Sequence, residues 1–195
     1  ARFNRILKVD RDSRTAIVQP GVRNLAVSEA AAPYGLYYAP DPSSQIACTL
    51  GGNVAENSGG VHCLKYGLTV HNVLRIRVVS IEGEVFEIGS AAPGAPGYDL
   101  LALLIGSEGM LGVVTEITVR ILQNPETARA LLVGFPTSED AGACVGRIIG
   151  AGIIPGGMEM MDKPAIHAVE EFVHAGYPLD VEALLIVELD GGQAE

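Results

Sequence analysis

The sequence predicts an α+β architecture, on three observations. Two pairs of β-rich runs flank short polar turns in the manner of hairpins: Ile6–Val9 with Thr15–Gln19, and Val73–Ile81 with Glu84–Ile88. Helical spacing governs Val22–Ala32 and Ser138–Gly150. After Asn124-Pro125-Glu126 the order becomes strand, helix, strand, helix, strand, which marks a second α+β unit.

Each element has its own justification. Asp10–Ser13 is the first hairpin turn, and Pro20-Gly21 breaks the second strand. Leu25, Ala26, Glu29 and Ala30 recur at helical spacing, and Pro33 and Gly35 stop that helix. Glu82-Gly83 turns the second hairpin. Ala91–Gly97 reads as a Pro/Gly/Ala loop, Tyr98–Ile105 as a short buried helix and Gly106–Gly112 as a glycine-rich turn. Thr115–Leu122 alternates Ile117, Val119 and Ile121, the period of a strand. Pro125 disfavours helix and central strand alike, so residues 1–124 and 125–195 are expected to form separate domains. The second carries a strand at Ala128–Phe135 and a helix with Ala141, Cys144, Val145, Ile148 and Ile149 on one apolar face. A strand at Gly156–Met161 follows, then a helix with Pro164 in its first turn running to His174, and a strand at Leu184–Leu189.

Composition removes several function classes. Hydrophobic residues make up 48% of the chain, enough for a sizeable core. A net charge of −10 argues against nucleic acid and against an anionic membrane surface. The longest apolar run, Leu100–Ile105, is far too short to span a bilayer, so an integral membrane protein is not expected. No apolar segment follows Ala1-Arg2-Phe3-Asn4, as one would in a signal peptide. Cys48, Cys63 and Cys144 form neither a metal knuckle nor a disulfide framework and fit a reducing compartment. Strand-like sequence at both ends suggests part of a longer protein.

The richest segment runs from Tyr37 to Cys63. It places two Gly-Gly pairs, prolines, small hydroxyls and asparagines between apolar residues, a pattern read as neither an ordinary helix nor a long strand. Glycine lets backbone approach a ligand closely, and successive exposed N–H groups in such turns hold anions. A large phosphate-bearing cofactor follows as one reading, a glycine-rich surface loop as the other. Glu108, in the later glycine turn, could accept bonds from a ribose or a ring N–H, or be a solvated carboxylate. Arg75 and Arg77 read as the solvent face of a strand. His167, Glu170, Glu171 and His174 fall near one helical face at metal-ligand spacing, with an exposed polar face as the competing reading. His62 and His71 stand isolated and read as structural. Neither Gly-x-Gly-x-x-Gly nor a P-loop is present.

Several long motifs then occur in a family's order. Tyr38-Ala39-Pro40-Asp41-Pro42-Ser43-Ser44, Thr49 to Gly60 (TLGGNVAENSGG) and Lys65-Tyr66-Gly67 resemble the FAD-binding domain of the vanillyl-alcohol-oxidase (PCMH-type) flavoprotein superfamily. Tyr98-Asp99-Leu100 and Gly106 to Glu116 resemble its later flavin-contacting segment. Glu56 to Gly67 is most similar to the glycolate oxidase and D-lactate dehydrogenase branch, and Gly157 to Asp162 looks like the start of the substrate cap domain.

The resemblance implies a second FAD-binding subdomain over residues 1–124, with a mixed or antiparallel sheet flanked by helices, and part of an α+β cap over 125–195. It implies FAD as cofactor and places Pro40, Asp41, Pro42, Ser43, Ser44, Thr49, Gly51, Gly52 and Asn53 along the isoalloxazine and pyrophosphate. Asn57, Gly59 and Gly60 would bring backbone against the flavin, with Tyr66 and Gly67 also at the cofactor. Glu108, Gly109, Gly112 and Val114 would contact the ribityl or adenosine portion. No metal ligand is implied within the chain, and no catalytic residue is assigned.

The implied activity is oxidation of a small 2-hydroxy acid, glycolate or D-lactate, to the 2-oxo acid, with partner oxidase subunits. The expected location is cytoplasmic, or peripheral to the inner membrane through those subunits. Relatives acting on 2-hydroxyglutarate or an ether-lipid precursor compete with this reading. A non-catalytic flavin-binding or assembly module is the alternative from another class. The family's pyrophosphate loop, substrate arginine and metal-binding histidine pair have no counterpart in these residues. The chain by itself is therefore expected to be catalytically silent, to hold FAD weakly or not at all, and to self-associate.

Overall fold

In the computed structural model, which describes residues 2–90 and 97–192, β1 (Ile6–Asp10) and β2 (Thr15–Val18) form the expected hairpin. Asp10 closes it, its carboxylate accepting from the N–H groups of Asp12 and Ser13. β4 (Val73–Val79) and β5 (Val85–Gly89) form the second, with Gly83 left-handed at φ 82°. β6 (Val113–Arg120) lies between the two hairpins, giving a five-stranded sheet ordered β1-β2-β6-β4-β5 in which every pair is antiparallel. β3 (Leu36–Tyr37) and β7 (Leu122–Gln123) make a small separate ladder. The chain forms two compact units, Ala1–Asn124 and Pro125–Glu195.

Period-2 patterning decides which strand residues turn inward. Ala16 and Val18 of β2, Ile76 and Val78 of β4, and Ile117 and Val119 of β6 are all buried. Against them pack Val27 of α1 (Asn24–Ala31), Leu50 and Val54 of α2 (Leu50–Glu56), and Leu104 of α5 (Leu100–Leu104). α3 (Cys63–Tyr66) and α4 (Thr69–Asn72) are single turns.

Three expectations need correction. The glycine-rich segment does contain a helix, α2, with Gly51 and Gly52 in its first turn. Glycine's poor propensity is overridden by a Thr49 N-cap, whose side chain accepts from the Gly52 N–H, and by the burial of Leu50, Asn53 and Val54. The first helix starts at Asn24 rather than Val22, because the Val22 carbonyl is taken by the Leu50 N–H. The segment Tyr98–Ile105 is helical only from Leu100 to Leu104 and is not a buried helix: Leu104 and Ile105 face inward, whereas Tyr98 is 93% and Leu103 64% exposed. The Ala91–Gly97 loop falls, up to residue 96, outside the described residues.

In the second unit, β8 (Thr127–Phe135), α6 (Ser138–Gly150), β9 (Gly157–Asp162), α7 (Lys163–Val173) and β10 (Ala183–Gly191) follow in order. The last strand inserts between the other two, giving β8-β10-β9 with both pairings antiparallel. This is a split β-α-β arrangement, and its central strand carries the buried run Ala183, Leu184, Leu185 and Val187. Thr137 and Asp162 cap the two helices by accepting from the N–H groups of Asp140 and Ala165.

Asn72 ties the first unit's loops to its sheet. It is fully buried; its Nδ2 donates to the Tyr66 and Leu68 carbonyls, and its Oδ1 accepts from Nε and Nη2 of Arg120. Truncation strands a guanidinium and two carbonyls. Asn72→Ala is expected to cost about 2–4 kcal/mol, read from the urea midpoint at constant slope.

Candidate functional site

A cavity of about 380 Å³ lies between the start of α2 and the second glycine-rich turn. Its lining joins Pro20, Gly21, Thr49, Gly51, Gly52, Val54 and Ala55 to Leu104, Ser107, Gly109, Gly112, Val113 and Val114. Two hydrogen bonds hold these segments together: the Gly106 N–H donates to the Val54 carbonyl at 2.8 Å, and the Glu108 N–H to the Ala55 carbonyl at 3.0 Å. Both carbonyls belong to the C-terminal half of α2, so the later turn occupies acceptors that a helix end leaves open. Asn57 closes α2 in the left-handed region at φ 51°, its Oδ1 accepting from the Val70 N–H.

Of the residues singled out from the sequence, Thr49, Gly51, Gly52, Gly109, Gly112 and Val114 line this cavity. Asn53 lies beneath them, 1% exposed, with its Nδ2 donating to no other group. Glu108 stands in the same turn, left-handed at φ 53°, with an exposed side chain. The others form a second group outside the cavity lining. Pro40 is anchored by Asn24, whose Nδ2 donates to its carbonyl, and Pro42, Ser43 and Ser44 fold into turns closed by Gln45, Ala47 and Cys48 N–H groups. Asp41 accepts from both the Nδ1–H and the backbone N–H of His62. His62 is therefore not isolated as expected. Gly59 and Gly60 pack on Leu68 and Asp41. Tyr66 stacks edge-on with Tyr37 at 6.2 Å, and Gly67 is left-handed at φ 81°.

The glycines divide by what surrounds them. A Cβ on Gly51 would lie 2.6 Å from Pro20 Cβ, and one on Gly60 2.4 Å from the Asp41 backbone. Those glycines are required by packing. Gly52 is different: it is helical, and its nearest neighbour would be Thr49 Oγ1 at 3.4 Å. Neither dihedrals nor packing demand glycine there, but a side chain would enter the cavity.

Electrostatics refines the anion-nest reading. In the first turn of α2 the Leu50 N–H donates to Val22, Gly51 to Pro20 and Gly52 to Thr49. The first Gly-Gly pair therefore supplies close approach, not free donors. Among the described residues no lysine or arginine lines the cavity. Burial pushes the Tyr38 hydroxyl far above the ordinary phenol range, so it stays protonated.

Pro20-Gly21, read from the sequence only as a strand breaker, also lines the cavity. A Cβ on Gly21 would lie 2.8 Å from the Phe3 carbonyl, so a Pro-Gly at a strand end can signal close backbone approach. The metal spacing on α7 is not realised: among the described residues no three His, Cys, Asp or Glu side chains could share an ion. Glu170 instead accepts from the N–H groups of Tyr177 and Gly176, which hold its carboxyl below its usual range.

Residues 1–89 match the FAD binding domain, and residues 124–195 match the C-terminal domain of FAD linked oxidases. The chain belongs to the FAD-linked oxidases. The glycolate oxidase subunit GlcD of Escherichia coli K12 is 63% identical over 195 residues, covering 100% of this chain and 39% of that protein. GlcD of Bacillus subtilis is 42% identical over 190 residues, 97% of this chain and 40% of the relative. A D-lactate dehydrogenase of Archaeoglobus fulgidus is 38% identical over 166 residues, 85% of this chain and 37% of the relative. Among solved structures, an alkyldihydroxyacetonephosphate synthase superposes with TM-score 0.83 at 25% identity, covering 99% of this chain and 38% of that one. The chain spans about two-fifths of the length of the curated relatives it matches.

FAD is the family's cofactor, and the cavity fits its uncharged portion: apolar walls, two hydroxyls, and glycines that admit a flat group closely. The donors around α2 do not fit its phosphates. Gly51→Ala is expected to destabilise the chain by about 1–3 kcal/mol through overpacking, whereas Gly52→Ala is neutral or stabilising by up to about 1 kcal/mol. Gly52→Val should keep the melting midpoint within a few degrees and weaken FAD binding at least about tenfold. Thermal melts and FAD fluorescence titrations of the three variants check the contrast.

Proposed function

We propose that this chain is the flavin-contacting core and part of the cap of an FAD-dependent oxidoreductase that converts glycolate or D-lactate to the 2-oxo acid. One observation carries the reading: 63% identity to the Escherichia coli GlcD subunit, continuous over all 195 residues. Residues 1–124 act as the second FAD subdomain and 125–195 as the beginning of the cap. That relative is named a subunit, which supports work within a multi-subunit oxidase beside partner chains. Among the described residues no helix is long and apolar enough to cross a membrane.

FAD supplies the hydride-accepting chemistry when bound. The chain's own contribution is placement. Gly52 and Gly109 leave room for close approach, and Val54, Leu104, Val113 and Val114 keep water from the part they cover. The Thr49 hydroxyl is committed to the Gly52 N–H, which fixes the N-terminal wall of the cavity.

The electrostatics sets the strength of binding by this chain alone. With the first-turn amides of α2 engaged and no cation in the lining, the pyrophosphate loses charge-assisted bonds worth about 1.5–3 kcal/mol each. Two such losses weaken binding by about two to four decades. The isolated chain is therefore expected to bind FAD with a Kd above about 1 μM and to reduce no dye. The full reading frame containing it is expected to hold flavin that glycolate or D-lactate bleaches. Flavin that neither acid bleaches is the result a non-catalytic module would give, and it overturns the reading, as does a full-length protein without flavin.

A further inference from the structure

Outside the cavity, the geometry points to Asp41 and His62 as a positioning clamp. They lock the Pro40–Ser44 loop against the Gly59-Gly60 turn and so give two cofactor-facing segments one fixed spacing. The inference rests on the FAD reading above for what these segments face.

Both carboxylate oxygens of Asp41 are engaged by one residue. Oδ2 lies 2.5 Å from His62 Nδ1, and Oδ1 accepts from the His62 backbone N–H at 3.3 Å. An ionised carboxylate only accepts, so the ring carries its proton on Nδ1. The two side chains are 20% and 26% exposed, sheltered enough for the charge-assisted bond to be shorter and stronger than a surface pair. The backbone adds a steric stop, because the Gly60 Cα sits directly on the Asp41 carbonyl and leaves no space for a side chain.

The loop's remaining anchors run elsewhere. Asn24 holds the Pro40 carbonyl, the Leu25 N–H donates to Gln45 and the Asn24 N–H to Cys48. These fasten the loop to α1 and leave its distance from the glycine turn to Asp41 and His62.

The test compares the unaltered chain with Asp41→Ala, His62→Ala and His62→Asn, the last keeping an N–H on the atom bonded to Cγ, where the ring carries Nδ1. Amide hydrogen exchange is followed at residues 42–48 and 59–63, with β2 and β6 as internal reference, and FAD is titrated by fluorescence up to millimolar concentration. The clamp predicts exchange at least about tenfold faster in both segments for the alanine variants, unchanged in the sheet. It also predicts FAD binding about tenfold weaker, with both effects substantially restored in His62→Asn. Unchanged exchange overturns the clamp whatever happens to FAD. Faster exchange with unaltered FAD affinity overturns its role at the cofactor, as does failure of His62→Asn to restore either effect. If the unaltered chain binds no FAD up to millimolar concentration, the affinity comparison is made in the full-length protein, where absence of flavin overturns the FAD reading, and the exchange data separately decide whether the two segments are clamped.

Discussion

Two amide hydrogen bonds, Gly106 to Val54 and Glu108 to Ala55, join sequence motifs some fifty residues apart, and the cavity exists because of them. They do two tasks at once. They satisfy carbonyls near the end of α2, and they seat the second glycine turn across from the start of the same helix. The connection is rigid because helix carbonyls have fixed directions. Asn57 and Glu108 both occupy the left-handed region beside this junction. Each such residue costs about 1–3 kcal/mol, and the strain persists only where surrounding bonds fix it. Here the Asn57 side chain accepts from Val70, and the Glu108 amide is one of the two joining bonds.

Around that junction, glycine has two separate meanings. At Gly51, Gly59 and Gly60 another part of the protein already stands where a side chain would be. At Gly52 and Gly109 the space is open to the cavity, so the absent side chain matters to what enters. A motif that reads as one glycine-rich string thus combines residues that assemble the fold with residues that leave room. Folding tolerates a side chain at Gly52, whereas Gly109, at φ 79°, needs glycine for its backbone as well, and Gly51, Gly59 and Gly60 resist one by packing.

The hairpins were legible in the sequence because β-rich runs around a polar turn, Asp10–Ser13, and a glycine turn, Glu82-Gly83, are local signals. α6 was legible from its apolar face of Ala141, Cys144, Val145, Ile148 and Ile149, and α7 from Pro164 in its first turn. α2 was not, since local propensity counts Gly51-Gly52 against a helix while the Thr49 cap and buried Leu50 and Val54 act through tertiary structure. The burial of the Tyr98–Ile105 segment was overread: an apolar run reports hydrophobicity, not what is available to cover it. The resemblance indicated the two glycine motifs, and six of the residues it singled out line one cavity. Pro20-Gly21 and the Asp41–His62 pair were missed, because partners as far apart as Gly21 and Phe3 or Asp41 and His62 leave no mark in local spacing.

Electrostatics sets the limit on what this cavity does unaided. The chain carries a net charge of −10, and no cationic side chain lines the cavity. An anionic pyrophosphate approaching it meets no compensating charge and an unfavourable overall field. The same walls suit an uncharged, flat, largely apolar group, for which shape and dispersion suffice. On the proposed reading the site would discriminate between the two halves of a flavin dinucleotide, admitting the ring side and leaving the phosphates to groups other than those lining it. Selectivity of that kind would place the cofactor's reactive end by shape, through Gly52, Gly109 and the fixed spacing of the glycine turns, and would make retention a separate matter of charge.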